Sequence, residues 1–334
     1  MANVLLTQKC VRSCPYCFAR KHMQDAPPED ILSWENLIYI ADFLQSSGES
    51  GISLLGGEPF LHPEIVEFVT YLVNRNMKVT IFTSGIMSDD TFMKAITHFA
   101  KIPPHLLTFV CNLNDPRNTP FSELENIRRF LSAFSRQTVL SINIYKLDFD
   151  LDYVVQYINK FGLDRHIRMG LAHPIPGKKN SCIPIDKLNK MASRLIEYIP
   201  LLEQFNIEIG FDCGLPLCIF DDNALGKLFK LNNGMVKFGC GPAIDIGPDM
   251  SVWSCFPLSG YQKKSLFEFS SMEELHHFYA TFHERIRTEV GGIYEKCNYC
   301  NYRRKGLCSG GCLSHSLNNF INEAHVRYEE MYSE

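Results

Sequence analysis

The residues best able to do chemistry stand close to the start of the chain. The stretch KCVRSCPYCFAR, residues 9–20, carries Cys10, Cys14 and Cys17 in the spacing C-x3-C-x2-C. Iron–sulfur clusters and structural zinc both use thiolate ligands, and both ordinarily take four. A short loop with this spacing can wrap one face of a cubane, placing a thiolate on each of three irons and leaving the fourth bare. The alternatives are three core cysteines, or a zinc site that recruits a remote fourth ligand. LLGGEP follows at residues 54–59. Gly56 and Gly57 lack a Cβ and let the backbone approach a ligand closely, while Glu58 beside them can receive an ammonium group.

The second concentration of cysteines lies in the last third. CGPAIDIGPDMSVWSC sets Cys240 and Cys255 around a tight turn at Gly247, and DCGLPLC contributes Cys213 and Cys218. CNYCNYRRKGLCSGGC then supplies Cys297, Cys300, Cys308 and Cys312. On its own, C-x2-C-x7-C-x3-C would suit a zinc knuckle. MANVLLTQK lacks the parts of a signal peptide, so the expected location is cytoplasmic. Thiols stay reduced there, and metal ligation accounts for most of the 13 cysteines better than disulfides do. Cys111, in an apolar strand, reads as a small buried hydrophobe, and Cys182 is given no role.

These residues need a scaffold to position them. Short apolar runs at residues 3–7, 52–55, 78–83, 106–111, 138–144 and 167–172 alternate with helix-length amphipathic segments, including 63–74, 89–99 and 122–134. That alternation is the sign of parallel strands joined by crossover helices. About six β/α units are too few for a closed eight-unit barrel, so the expected fold is α/β, a partial (β/α)6 TIM-like barrel whose working face is the carboxyl ends of its strands. One helix is expected over residues 184–205. Beyond it the pattern changes to short strands and Gly/Pro turns, which divides the chain into residues 1–208 and a small cysteine-rich α+β domain, 209–334. Net charge is −4 with no long basic block, so no nucleic-acid partner is expected, and no apolar run approaches a membrane span.

The cysteine triplet followed by GGEP resembles the radical S-adenosylmethionine (SAM) superfamily over residues 1–205. The resemblance implies a [4Fe–4S] cluster on Cys10, Cys14 and Cys17 whose open iron is chelated by SAM, and reductive cleavage of SAM to a 5′-deoxyadenosyl radical that abstracts a substrate hydrogen. It places Tyr16 near the adenine and Gly56, Gly57 and Glu58 at the SAM amino group. Ser84, Asn112, Asn143, Arg168 and Leu171 fall where the family sets ribose, carboxylate and adenine contacts.

The C-terminal cysteines look like a SPASM domain, an auxiliary-cluster module with one or two further [4Fe–4S] clusters. By that resemblance the first takes Cys240, Cys255 and Cys312, with Cys218 or Cys213 upstream. The second takes Cys297, Cys300 and Cys308. Its usual fourth cysteine is missing, since none follows Cys312. His315, a nearby carboxylate or solvent are the stand-ins, or else the site is degenerate or holds zinc. Tyr299 and Tyr302 would shield this cluster, and His276, His277 and His283 read as a solvated helix face.

The resemblance favours a peptide or protein substrate, modified by oxidation, crosslinking or epimerisation. The alternatives are a small-molecule cofactor or metabolite precursor, and a non-catalytic Fe–S or zinc protein. With the first strand so near Met1 there is no room for a leader-binding winged helix, so a separate recognition protein or the barrel and SPASM surfaces would bind a leader. A reductant such as flavodoxin or ferredoxin is implied. No residue is singled out as a general base.

Overall fold

The computed structural model describes residues 2–19, 30–177, 180–212 and 214–321. The expected units form in order: β1 (Ala2–Thr7), α1 (Trp34–Ser46), β2 (Gly51–Gly56), α2 (Ile65–Asn74), β3 (Lys78–Thr83), α3 (Asp89–Phe99), β4 (Leu107–Asn112), α4 (Phe121–Ala133), β5 (Thr138–Ile144), α5 (Asp152–Phe161) and β6 (His166–Leu171). Side-chain caps set the starts of several helices. Ser33 accepts from the Asn36 N–H at α1, and Ser88 accepts from Thr91 N–H at α3, whose first turn adds Asp89 and Asp90 against the helix dipole. Gly162 closes α5 in the left-handed region at φ 63°.

Neighbouring strands β1 to β6 pair in parallel, and helix faces pack on the sheet. Phe99, Phe109, Phe130 and Phe134 are fully buried where α3 and α4 meet β4, with ring centroids 5.0–6.3 Å apart. This rigid layer carries the strand ends on which the site is built.

Two features differ from expectation. The helix over 184–205 is two, α6 (Leu188–Glu197) and α7 (Ile199–Gln204), broken where Pro200 enters. Proline lacks an N–H and its ring meets the carbonyl four residues back, so one continuous helix is disfavoured. The sheet also does not stop at β6. β7 (Glu208–Phe211) adds in parallel to β6, and β8 (Asp245–Ile246) adds in parallel to β1. β9 (Ser251–Trp253) and β10 (Lys264–Ser265) continue outward in antiparallel pairing. The order is β10-β9-β8-β1-β2-β3-β4-β5-β6-β7. An open sheet leaves unpaired backbone at both edges, and segments after residue 208 extend it on both sides. After β7 come α8 (Asp222–Leu231), the long α9 (Met272–Glu289) and short α10 (Asn301–Arg304), and residues 313–321 are helical as well.

Candidate metal centre and its surroundings

The cysteine loop leaves β1 directly and is sewn to the end of β2. Thr7 O accepts from Gly57 N–H at 2.8 Å, and Lys9 O accepts from Glu58 N–H at 2.8 Å. A Cβ on Gly56 would lie 2.1 Å from Thr7 O, and one on Gly57 1.9 Å from Lys9 O. The two glycines therefore serve an approach of strand to cysteine loop, which no side chain would allow. Asp30 holds the same loop from another side, accepting from Gln8 N–H at 2.6 Å and Gln8 Nε2 at 2.9 Å.

The three thiols lie near one another on this loop. Burial, then the proximity of Glu58, Cys14 and Cys17, pushes the Cys10 thiol up to about 11, against the hydrogen bond from Arg12 N–H to its Sγ at 3.4 Å. Cys17 N–H donates to Cys14 O at 3.1 Å, and Asn114 Nδ2 lies 3.9 Å from Cys14 Sγ. Bound metal ions favour thiolate over thiol, so a cluster would reverse the rise at Cys10. Arg12, which the sequence reading passed over, is buried between cysteines. It pairs with Glu123 at 3.0 Å and donates to Asn112 O at 3.0 Å. Its Nη2 is buried with no hydrogen-bond partner. An orphaned cationic donor beside three thiols suits an anionic group, as a thiolate-ligated cluster or a carboxylate would be.

Tyr16 stacks at 4.9 Å on Tyr145 and donates to Asn114 Oδ1 at 2.9 Å. Burial, foremost, holds its hydroxyl well above the usual phenol range. Cys14, Tyr16 and Asn143 face a cavity of about 240 Å3 that Arg12, Asn114 and Tyr153 also line, between the cysteine loop and the ends of β4 and β5. The sequence carried a faint signal for Arg12 and Asn114: both stand two positions from residues already singled out.

Glu58 has a different place from the one expected. It is buried, and its carboxylate accepts from Thr83 Oγ1 (2.7 Å), Phe60 N–H (3.3 Å), Ser84 N–H (2.8 Å) and Ser84 Oγ (2.5 Å). A carboxylate offers about four lone-pair sites, and all are taken. Glu58 thus locks the end of β2 to the end of β3 and has no site left for an ammonium group. The Ser84 hydroxyl, expected at the cofactor, is committed to Glu58 by the same bonds.

The remaining strand-end residues form a row. Asn143 Nδ2 donates to Asn112 Oδ1 at 3.2 Å, and Asn143 Oδ1 sits so close to Gly170 that a Cβ there would lie 2.5 Å away. Arg168 pairs with Asp212 at 2.7 Å, donates to Ser141 Oγ at 3.2 Å and covers the Phe82 ring at 4.8 Å. It braces β5, β6 and the segment after β7. Burial keeps Asp212 above the ordinary carboxylate range even though Arg168 opposes it. Leu171 lies apart from this cavity, in a small cleft with Met191 and Phe211.

The C-terminal cysteines fall into two neighbourhoods. Cys218, Cys297, Cys300 and Cys308 line one cavity of about 430 Å3. Gly310 N–H points to Cys308 Sγ at 3.4 Å, and a Cβ on Gly292 would come within 2.7 Å of Cys297 Sγ. Elsewhere, Cys240 and Cys255 border an apolar cluster with Leu258, Ile286, Leu313 and Leu317. Burial, then Asp245 and Cys240, pushes the Cys255 thiol up. Gly214 abuts Cys312: a Cβ there would lie 2.7 Å from Cys312 Cβ. Cys213 lies outside the described residues. The described cysteines form no disulfide with one another, and among the described residues no three His, Cys, Asp or Glu side chains converge on a point that would hold a single ion. Cys111 is fully buried in β4, as expected.

Several expectations here need correction. His315 does not line the cavity of Cys297, Cys300 and Cys308; its ring stands edge-on to His173 at 5.4 Å. Burial, then His173, drops it to about 3. His283 is buried, with both ring nitrogens unpartnered, and burial lowers it to about 4 despite nearby Cys240. The buried face of α9 runs Met272, Leu275, Tyr279, His283, Ile286, a spacing visible in the sequence that includes this histidine. His276 is half-buried and His277 exposed. Tyr299 and Tyr302 are exposed at the edge of the cavity that the cysteines line.

A segment far along the chain reaches the first site. Trp253 and Phe256 from the β9 region pack with Leu5 and Ala19, and Cys17 and Phe18 join this cluster. A hairpin laid on β1 thereby covers the triplet loop.

Fold and site together define a parallel sheet bearing a three-thiol loop at its strand ends. Residues 4–145 match the family model of the radical SAM superfamily, and a cysteine-rich C-terminal region follows the matched segment. The chain is 36% identical over 84 residues to an S-adenosylmethionine-dependent nucleotide dehydratase of Selenomonas ruminantium, covering 25% of this chain and 29% of that protein. It is 31% identical over 91 residues to a PqqA peptide cyclase of Granulibacter bethesdensis, covering 27% and 24%. The matches thus span less than a third of either relative. Streptococcus suis SuiB, solved bound to the precursor peptide SuiA, has the same fold at 15% identity, with a TM-score of 0.63 over 93% of this chain and 71% of SuiB. Among the described residues no helix is long and apolar enough to cross a membrane.

Proposed function

We propose that the chain is a radical SAM enzyme acting on a peptide or protein side chain. Cys10, Cys14 and Cys17 would hold a [4Fe–4S] cluster. With SAM on its open iron and an electron from a reductant such as flavodoxin or ferredoxin, that cluster supplies a 5′-deoxyadenosyl radical able to take a substrate hydrogen. The observation that carries this reading is the cysteine loop sewn to Gly57 and Glu58 beside a polar cavity at the strand ends. Arg12 would offset negative charge, Tyr16 and Tyr145 would present an aromatic face, and Asn112 and Asn143 would offer amides to a ribose or carboxylate. Because Glu58 is saturated, the amino group of SAM would be met by main-chain carbonyls at the end of β2. The C-terminal cysteines would form a SPASM-like module, residues 209–334, whose clusters exchange electrons with the substrate. We place the protein in the cytoplasm, with leader recognition by a separate protein or by the barrel and SPASM-like surfaces.

The peptide substrate draws support from the likeness to the PqqA peptide cyclase and from SuiB, whose structures include SuiA-bound and SAM-bound forms. A second reading, a small-molecule substrate, is favoured by the compact cavity with Arg12, Asp115, Glu123, Lys146 and Asp150 on its walls, and by the nucleotide dehydratase. Anaerobic reconstitution followed by reduction with SAM tests the core of the proposal. The expected result is 5′-deoxyadenosine; a chain that holds only zinc, or that leaves SAM intact, overturns it. Deuterium transfer into 5′-deoxyadenosine from labelled peptide or labelled nucleotide would then separate the two substrate classes.

A further inference from the structure

The fourth cysteine of CNYCNYRRKGLCSGGC, Cys312, does not line the cavity of Cys297, Cys300 and Cys308. We propose that Cys218 supplies the fourth ligand there, completing an auxiliary [4Fe–4S] site and leaving no iron open to substrate. The inference rests on the reading of the chain as an iron–sulfur protein and assigns one residue within it.

Its basis is the composition of one cavity. Besides the three motif cysteines, the wall residues are Cys218 and groups that are poor iron ligands: Lys296, Arg303, Tyr299 and Tyr302 with apolar neighbours. Neither a carboxylate nor an imidazole lines it. Among the lining residues Cys218 is therefore the one further thiolate donor. Its backbone is fixed independently of any metal. The short turn Leu217–Ile219 buries Leu217 and Ile219 in the core, with Leu215 and Phe220 on either side. Cys218, between two anchored apolar residues, is half-buried and directed to the cavity. The charges fit as well: Lys296 and Arg303 bring positive charge to a wall that four thiolates would make negative. Gly310 N–H at Cys308 Sγ adds a backbone donor to a cluster sulfur ligand, a common means of tuning potential.

Two consequences follow. A site with four thiolates offers substrate no coordination position, so its role is electron transfer. The segment DCGLPLC is also divided: Cys218 goes to this cavity, while Gly214 lies against Cys312.

The test uses the full chain, reconstituted anaerobically, as wild type, Cys218→Ala and Cys218→Ser. Iron content, EPR in oxidised and reduced states, and the effect of added imidazole are measured. In Cys218→Ala the auxiliary site should lose about one iron of four on mild oxidation and show a new three-iron EPR signal. Imidazole should shift its reduced signal and leave the wild-type signal unchanged. Cys218→Ser, which keeps an oxygen donor and nearly the same volume, should retain its iron with a shifted spectrum; this holds the test open if the alanine variant folds poorly. Several clusters in the wild type with both variants spectroscopically identical to it would overturn the Cys218 assignment alone. A wild type with a single cluster, or with zinc, would overturn the auxiliary-cluster reading beneath it.

Discussion

The loop at residues 9–20 and the cavity around Cys218 both start from three cysteines in a short motif. They differ in what stands next to the three. At the first, the adjoining cavity has no fourth thiol among its lining residues, and its carboxylates are engaged: Glu123 with Arg12, and Asp115 and Asp150 with Arg117. Amides, an orphaned guanidinium nitrogen and stacked tyrosines remain to meet a polar ligand. At the second, a thiol completes the set and the wall holds cations and apolar side chains. Whether three cysteines make an open or a closed site is thus decided by their neighbours.

The largest effect should come from breaking the open site. Cys14→Ala is expected to abolish 5′-deoxyadenosine formation, read by chromatography, with a loss of about four irons per chain. Cys300→Ala should cut product formation while SAM cleavage persists above background. Equal loss of SAM cleavage in both variants would remove the distinction between the two sites.

Gly57→Ala comes next. Its Cβ would lie 1.9 Å from Lys9 O, a backbone atom that cannot swing aside, so the cysteine loop must move. The expected cost is about 3 kcal/mol in denaturant unfolding, with weaker iron retention. A glycine with open space around it, Gly226, gives the control: nothing lies within 4 Å of its added Cβ. Gly226→Ala should leave the iron content unchanged.

The contrast also explains what could be read from sequence. β1 to β6 were legible because each is a short apolar run with β-branched residues and turn signals. The triplet was legible because its cysteines lie within eight residues of one another, and a close approach at Gly56 and Gly57 because only glycine permits it, although the neighbour read there was a ligand and the structure shows the cysteine loop. Cys218 was ambiguous because its partners begin 79 residues later, and only the fold brings them together. The hydrogen bonds of Glu58 were hidden for a related reason: they run to Thr83 and Ser84, one strand over. β8 is two residues long, and its pairing with β1 has no periodic signal to detect.

That pairing joins the two regions and carries a pH dependence. Asp245 on β8 is fully buried and accepts from Asn3 Nδ2 at 2.8 Å; burial raises its carboxyl from 3.8 to about 7. A raised folded value means that the folded chain holds the proton more tightly than the unfolded chain. The stabilisation is complete below pH 3.8 and is lost as pH rises through about 7. The slope between those values should approach about 1.4 kcal/mol per pH unit at most. Asp245→Asn keeps the shape and removes the titration, so its unfolding free energy should be flatter over that range. A variant as pH-dependent as wild type would place the titration elsewhere.

The smallest effect concerns the aromatic residues beside each set of cysteines. Tyr16 is packed on Tyr145 and bonded to Asn114, whereas Tyr299 is 77% exposed with its ring at the rim of the second cavity. Tyr299→Ala should shift unfolding by no more than about 0.5 kcal/mol, as surface substitutions generally do. If the cavity is closed by the fourth thiol, iron content and oxygen sensitivity should also stay near wild type. If Tyr299 instead shields the cysteines, its loss would speed cluster bleaching in air with little change in stability. Absorbance decay after exposure to oxygen separates these outcomes. The matching change Tyr16→Ala, which removes a buried ring from the wall of the open site, should weaken SAM binding as well as stability.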